Sequence, residues 1–424
     1  MSVAAATCAG GLLALSGIEA SLRTPRPAEA SPQAIAAGIR RSLVILQEDG
    51  QDWMDGRIPI QDGRGCVSCH QVPFGVWSLH EAERAGIVLD AARAAELTRQ
   101  ALDFVALPRK ARAMSWGPLV LATSNGSTVA SRADFNSFAV DTQTAPGHWE
   151  AKGQFPEQRR SLEETNAVAT MWTMLAMWTS ESIDSANGIE SYERGYRSVE
   201  SFGAGESTEW LLLRSLVEQK LGQEPAAREL VDRLVAQQNP DGGWSWLPGE
   251  ESNAFSTGQV LYALLFEGST ASERHETAIA RGTTYLVETQ AGEGHWAVPS
   301  RLTSRGAKPS KDYVYTYWGT AWATIGLARF LDRSQAERLG RLRERMTISL
   351  LGAPMSTVAS YFAARLGAGL DLDPELASAS VTLELDDQPL SLGLDALCDQ
   401  SSCAWRIDTG STPPRLQFVR RGEL

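Results

Sequence analysis

Cys66-Val67-Ser68-Cys69-His70 is the segment of this chain that most clearly carries chemistry. Two thiols three positions apart can reach the two vinyl groups of a porphyrin, and the adjoining imidazole can ligate the iron, which is why CxxCH marks the attachment of a c-type haem. The chain has only 5 Cys and 5 His in 424 residues, so the pattern is improbable by chance. The same CxxC also suits half a zinc site or a redox disulfide. Zinc needs a fourth ligand and usually a second CxxC, which the sequence lacks, and a thioredoxin-type pair wants a βαβ context. Haem c bound through Cys66 and Cys69, with His70 on the iron, is therefore the leading cofactor reading, with zinc as the alternative. Met114, 44 residues after His70, is a candidate sixth ligand, as are His80, His148 and His295.

The elements that must position this motif repeat along the chain. Gln47, Gln143, Gln238 and Gln290 each precede a tryptophan by six positions, at Trp53, Trp149, Trp244 and Trp296. Glycine stands two before the tryptophan at Gly147, Gly242 and Gly294, while the first block has Gln51 there and is the degenerate copy. Apolar residues at helical spacing lead into the glutamine, as in Ile39, Leu43 and Leu46. A second helical pattern follows, with a recurring threonine and a small-large pair six and seven positions later: Thr170/Ala176/Met177, Thr257/Ala263/Leu264 and Thr320/Gly326/Leu327. Each repeat reads as helix, turn, helix. One helical hairpin cannot bury both faces, so several must stack into a solenoid or close into a ring.

The best-formed turn, Gln237-Gln238-Asn239-Pro240-Asp241-Gly242-Gly243-Trp244, resembles the QW repeat of the squalene-hopene cyclase and protein prenyltransferase superfamily. The resemblance covers roughly residues 35–365. It implies an all-α fold, an α/α toroid of helical-hairpin repeats with inner helices around a central cavity. It also implies turns in which the glutamine caps a helix end and stacks on the tryptophan, a structural role. Aligning Ser78-Leu79 with the other small-large pairs puts CxxCH just before the second helix of block one, at the mouth of that cavity.

The family's chemistries do not come with the fold. Cyclases protonate an alkene with a DxDD acid, and no DxDD exists here. The Asp, Cys and His zinc set of the prenyltransferases is missing too. Asp312, the only carboxylate in the aromatic run 311–318, is the acid to test first if catalysis is present. Tyr313, Tyr315, Tyr317, Trp318, Trp322, Trp172 and Trp178 either line a cavity for an apolar small molecule such as a polyprenyl chain or pack as core.

After residue 368 the period changes to two, at Val381, Leu383 and Leu385, at Trp405 and Ile407, and at Leu416 and Phe418. Residues 369–424 read as a small β-rich appendage to a toroid over 35–368, with Cys398 and Cys403 flanking a turn-like segment that an oxidising compartment could close by a disulfide. Residues 1–34 read as a leader. The apolar run 3–15 resembles a secretory signal with small-residue sites at Ile18-Glu19-Ala20 and Ala28-Glu29-Ala30, although the first basic residue is Arg23. With 39 basic against 51 acidic residues and no basic run, nucleic acid is an unsuitable partner, and no apolar stretch has the ~20 residues of a membrane span. The function expected is an exported, periplasmic toroid bearing haem c in electron transfer with a redox partner protein. A non-redox binding scaffold and a divergent terpenoid isomerase are the alternatives.

Overall fold

The computed structural model describes residues 30–58, 71–87, 89–106, 113–123, 129–151, 158–179, 185–266, 272–301, 309–408 and 414–420. Several helices begin where the sequence offers a side-chain oxygen to their first free amides. Ser31, Ser185, Ser207, Asn253 and Ser272 each accept the N–H of the residue three further on. The helices pair in chain order as α1 (Pro32–Met54) with α2 (Gln71–Arg84), α3 (Ala91–Ala106) with α4 (Ala113–Ala122), and α5 (Val129–Thr142) with α6 (Leu162–Thr179). They continue as α7 (Ala186–Phe202) with α8 (Thr208–Lys220), α9 (Glu224–Ala236) with α10 (Ala254–Leu264), and α11 (Glu273–Thr289) with α12 (Pro309–Arg341).

The even-numbered helices form the inner layer. Each packs on the next, α2 to α4 to α6 to α8 to α10 to α12, and α12 packs back on α2 to close the ring. The sequence dictates this division. Inner helix α10 is buried on all its residues and α6 is buried from Thr165 to Met177 except at Asn166, whereas outer helix α1 buries one stripe, with Ile35, Ile39, Leu43 and Leu46 three or four apart. The chain is thus an α/α toroid of six hairpins among the described residues, two more than the glutamine-tryptophan pattern marks. The unmarked hairpins are the second and fourth. Inner helices meet closely where side chains are absent: a Cβ on Gly258 of α10 would stand 2.1 Å from the carbonyl oxygen of Trp322 on α12.

Aromatic side chains fill the middle of the ring. Phe74 and Trp77 of α2, Trp172 of α6, Phe255 and Tyr262 of α10, and Trp318 and Trp322 of α12 have ring centroids 5.3–6.3 Å apart, mostly tilted or edge-on. All are buried, so these residues serve as core and do not line an open chamber. Trp178 and Tyr313 lie apart from the cluster. Trp178 packs on Tyr192, and Tyr313 stacks on Trp53 at 6.1 Å with 7° between planes.

The appendage has its own core and more helix than the period-two reading implied. It runs β1 (Arg345–Pro354), α13 (Met355–Leu366), β2 (Gly369–Leu372), β3 (Ser380–Pro389), α14 (Leu390–Ser401), β4 (Cys403–Asp408) and β5 (Arg415–Arg420). β1 and β3 form an antiparallel pair, and β5 lies between parallel β2 and antiparallel β4. Met346, Met355, Val358, Phe362 and Leu366, read in the sequence as the end of the toroid, pack in this second core. Cys398 and Cys403 are buried thiols. The segment between them is the last turn of α14 with left-handed Ser402 as its cap, not a hairpin turn.

Candidate functional site at the mouth of the ring

The glutamine-tryptophan turns build the end of the toroid from which the inner helices start. In the three well-formed copies the tryptophan backbone N–H donates to the recurring threonine of the following inner helix: Trp149 to Thr170 at 3.1 Å, Trp244 to Thr257 at 2.9 Å, and Trp296 to Thr320 at 3.2 Å. The indole N–H donates to a carbonyl of the preceding outer helix, at Ala139, Leu234 and Leu286. The glutamine Nε2 donates to the turn glycine's carbonyl and also across to the next outer helix, at Ser191, Ala278 and Gly38. Division of labour therefore differs from the implied one: the indole takes up its own helix end, and the glutamine ties neighbouring hairpins. The bond from Gln290 to Gly38 joins α11 to α1 and closes the outer ring.

Glycine is required in these turns on two counts. Gly147, Gly242 and Gly294 have φ of +100°, +91° and +104°, and a Cβ would lie 2.6–2.8 Å from the carbonyl oxygens of Arg194, Arg281 and Arg41. Those arginines complete the lock. Arg194 and Arg281 donate to turn carbonyls, and Arg281 and Arg41 donate to the glutamine Oε1. Gln47 of the degenerate block still reaches the start of the next outer helix, donating to Asp90 O at 3.0 Å. The unmarked fourth hairpin is held differently: the Ser207 N–H donates to Glu164 of α6 at 2.9 Å, and Thr208 N–H donates to Trp246 O at 3.1 Å.

The same contacts gather a buried polar cluster that sequence reasoning missed. Arg160, with a side chain 0% exposed, pairs with buried Glu209 of α8 at 3.0 Å. Glu209 also accepts the indole N–H of Trp172 at 3.3 Å, which links the cluster to the aromatic centre. Arg301 is 2% exposed, and its guanidinium carbon lies 3.8 Å from the ring centroids of both Trp246 and Phe255. Arg160 lies 4.7 Å from the Trp246 ring as well. Gln158 Nε2 donates to Tyr315 Oη at 3.4 Å, and Arg159 N–H donates to Arg301 O at 3.1 Å. Burial pushes the Arg301 guanidinium down to about 9, against neighbouring Glu209 and Tyr315, so it stays charged at neutral pH. No signal in the sequence separates these arginines from solvated ones, because the residues packed on them come from distant parts of the chain: Glu209, Trp246, Phe255 and Tyr315.

The sequence-predicted residues fall variously around this mouth. Cys66, Cys69 and His70 lie outside the described residues, but α2 begins at Gln71 and is an inner helix, as expected for the element following CxxCH. Its Val72, Phe74 and Val76 are fully buried, and Phe74 sits 6.2 Å from Phe255, the ring that carries Arg301. Met114 belongs to the first turn of α4, where side chains are outside the described set. His80 is half-buried on α2 with Thr98 Oγ1 at 3.5 Å, and burial lowers its pKa. His148 and His295 use their carbonyls inside the turns, accepting from Thr144 and Ala291. Among the described residues no three His, Cys, Asp or Glu side chains converge as a metal site. Asp312 is exposed, and its carboxylate accepts the Ser300 N–H at 2.9 Å, next to Arg301 in the chain. The structure thus gives Asp312 a positioning contact.

No protein-family model matches the chain. A drimenyl diphosphate synthase from Streptantibioticus cattleyicolor is 35% identical over 82 residues, which is 19% of this chain and 14% of that protein, so the match spans about a seventh of the relative's length. Among solved structures, a possible GH105 family member from Klebsiella pneumoniae aligns with TM-score 0.50 and 15% identity over 76% of this chain and 100% of its own. A possible GH105 member from Salmonella enterica gives 0.50 and 14% over 74% and 97%. The type II terpene cyclase MstE from Scytonema aligns at 0.44 with 14% identity, over 71% of this chain and 98% of that one. At these identities the likeness is one of fold, and it places the helical part among α/α toroids. No helix of the described residues is long and apolar enough to cross a membrane.

Proposed function

We propose that the chain is a terpene-cyclase-like toroid that carries a covalent haem c at its mouth and serves electron transfer or a redox step there, in an exported compartment. The observation that carries this is the position of Cys66-Val67-Ser68-Cys69-His70 directly before α2, an inner helix whose first turns are anchored in the aromatic centre. The donor set fits the group, with two thiols three apart for thioether bonds and an imidazole for the iron. When bound, haem c supplies a one-electron redox centre. The chain's own contribution is rigidity and dryness: Phe74 locks the start of α2 against Trp318, Trp322 and Phe255, and the packed rings exclude water beneath it. Protein from cells with a haem c maturation system should show a haem-stained band after denaturation, lost in Cys66→Ala/Cys69→Ala. Colourless wild-type protein with stoichiometric zinc would replace haem by a structural metal.

A cyclase-like isomerase is the second reading, favoured by the local likeness to drimenyl diphosphate synthase. Weighing against it are the missing DxDD, the filled centre of the ring, and an Asp312 that is exposed and engaged by a backbone amide. Squalene and shorter prenyl substrates should be recovered unchanged; cyclised product that vanishes in Asp312→Asn would promote this reading.

A further inference from the structure

We infer that Arg301 anchors a binding site for a small oxyanion, a carboxylate or phosphoryl group, at the mouth of the ring. Its Nε and Nη2 are buried without a hydrogen-bond partner, and it forms no ion pair among the described residues. An Nη2 of Arg160 and the Oε1 of Gln158 beside it are likewise unmatched. Among the described residues the carboxylates around the two buried guanidiniums, Arg160 and Arg301, are engaged elsewhere: Glu209 by Arg160 and Trp172, and Glu164 by the Ser207 N–H and hydroxyl. Glu250 pairs with exposed Arg159 at 2.8 Å. Among the described residues no carboxylate meets the Nε and Nη2 of Arg301, and a buried donor edge left unmatched is one that a bound anion would satisfy.

The setting suits an oxyanion. Nε and Nη2 form the edge of the guanidinium that binds two oxygens side by side, and the flat faces of Trp246 and Phe255 at 3.8 Å hold that edge in one orientation. The starts of α8 and α10, the positive ends of their helix dipoles, lie against the same residues. A groove of about 450 Å³ lined by Arg301, Trp246, Ser252 and Asn253 adjoins this covered edge. The inference stands apart from the haem reading, because none of these residues belongs to CxxCH.

Inorganic phosphate, pyrophosphate and acetate are titrated into the full chain at pH 7 and constant ionic strength, with calorimetry and thermal unfolding as readouts. At least one should bind saturably at one site per chain, and the preference between acetate and the phosphates identifies the group. Arg301→Gln should weaken binding at least tenfold, and the charge-matched surface control Arg84→Gln less than twofold. Gln158→Glu, which adds a carboxylate to the cluster at the Tyr315 hydroxyl, should weaken binding at least tenfold and raise the melting temperature. Absence of saturable binding to wild type overturns the inference. So does undiminished binding by folded Arg301→Gln, or by Gln158→Glu should the arginine variant fail to fold.

Discussion

Two buried arginine centres sit along the axis of the ring and are built on opposite principles. Deeper along α2 and α12, Arg329 meets Glu81 through two contacts, Nε to Oε2 at 2.6 Å and Nη2 to Oε1 at 2.7 Å, and Trp77 adds its indole N–H to the same carboxylate at 3.1 Å. Charge there is balanced. At the mouth, Arg160 is balanced by Glu209, while Arg301 rests between aromatic faces with no ion pair among the described residues. Both centres bury cations against tyrosine or tryptophan rings, so cation–π contact is common to them and cannot be what distinguishes them. The difference is the carboxylate. An ion pair inside a core brings each charge its opposite and joins two inner helices, whereas a cation beside a groove with no carboxylate at its Nε and Nη2 among the described residues is one that something outside the chain can meet.

Breaking the complete centre should have the largest effect. Glu81→Gln leaves Arg329 buried without its counter-charge and should lower stability by about 3–5 kcal/mol in denaturant unfolding. A wild-type midpoint would mean that the deep centre is no more satisfied than the mouth. Trp244→Ala tests whether the mouth instead owes its rigidity to the turns. It removes a fully buried indole bonded to Leu234 O at 2.7 Å and should cost about 3–5 kcal/mol, with any haem signature kept in the folded fraction. A variant that melts like wild type would show that the turn is not what holds the mouth together.

Smaller effects sharpen the contrast. Arg301→Met keeps much of the packing and removes a charge that has no partner to strand, so stability should stay within about 1 kcal/mol of wild type or rise. A loss as large as that of Glu81→Gln would mean that Arg301 is a structural ion after all. The alkaline limb is the mildest probe. Burial pushes Tyr285 and Tyr315 up to about 12, while an unfolded tyrosine ionises near 10. The unfolded chain then releases protons that the folded one keeps, so their stabilisation is intact below about pH 10 and is lost as pH rises towards 12. A tyrosinate absorbance that is complete in the folded protein near pH 10 would show that these phenols are not buried.

Much of the toroid is legible locally because its turns are local devices. Glutamine, glycine, tryptophan and threonine recur at fixed spacing since each makes the same bonds in every copy, as with Gln143, Gln238 and Gln290 to their turn glycines. The fourth hairpin escaped notice because Ser207 and Thr208 do the equivalent work with partners from elsewhere, Glu164 and the 245–246 backbone. In the appendage, alternation at Val381, Leu383 and Leu385 identified β3, and Leu416 with Phe418 identified β5. Helix α13 has the same apolar spacing as any toroid helix, so its sequence could not say which of the two cores would receive Val358 and Phe362.

What the sequence by itself determined is the repeating helical hairpin and the CxxCH segment directly ahead of an inner helix, because both depend on residues a few positions apart. Closure of the ring by α12 on α2, the filling of its centre by rings from four helices, and the burial of Arg301 were decided only by tertiary structure. The physical reason is that a side chain's solvation depends on its neighbours in space. Arg301 is an ordinary loop arginine until Trp246, Phe255 and Tyr315, from three separate stretches of chain, remove its water.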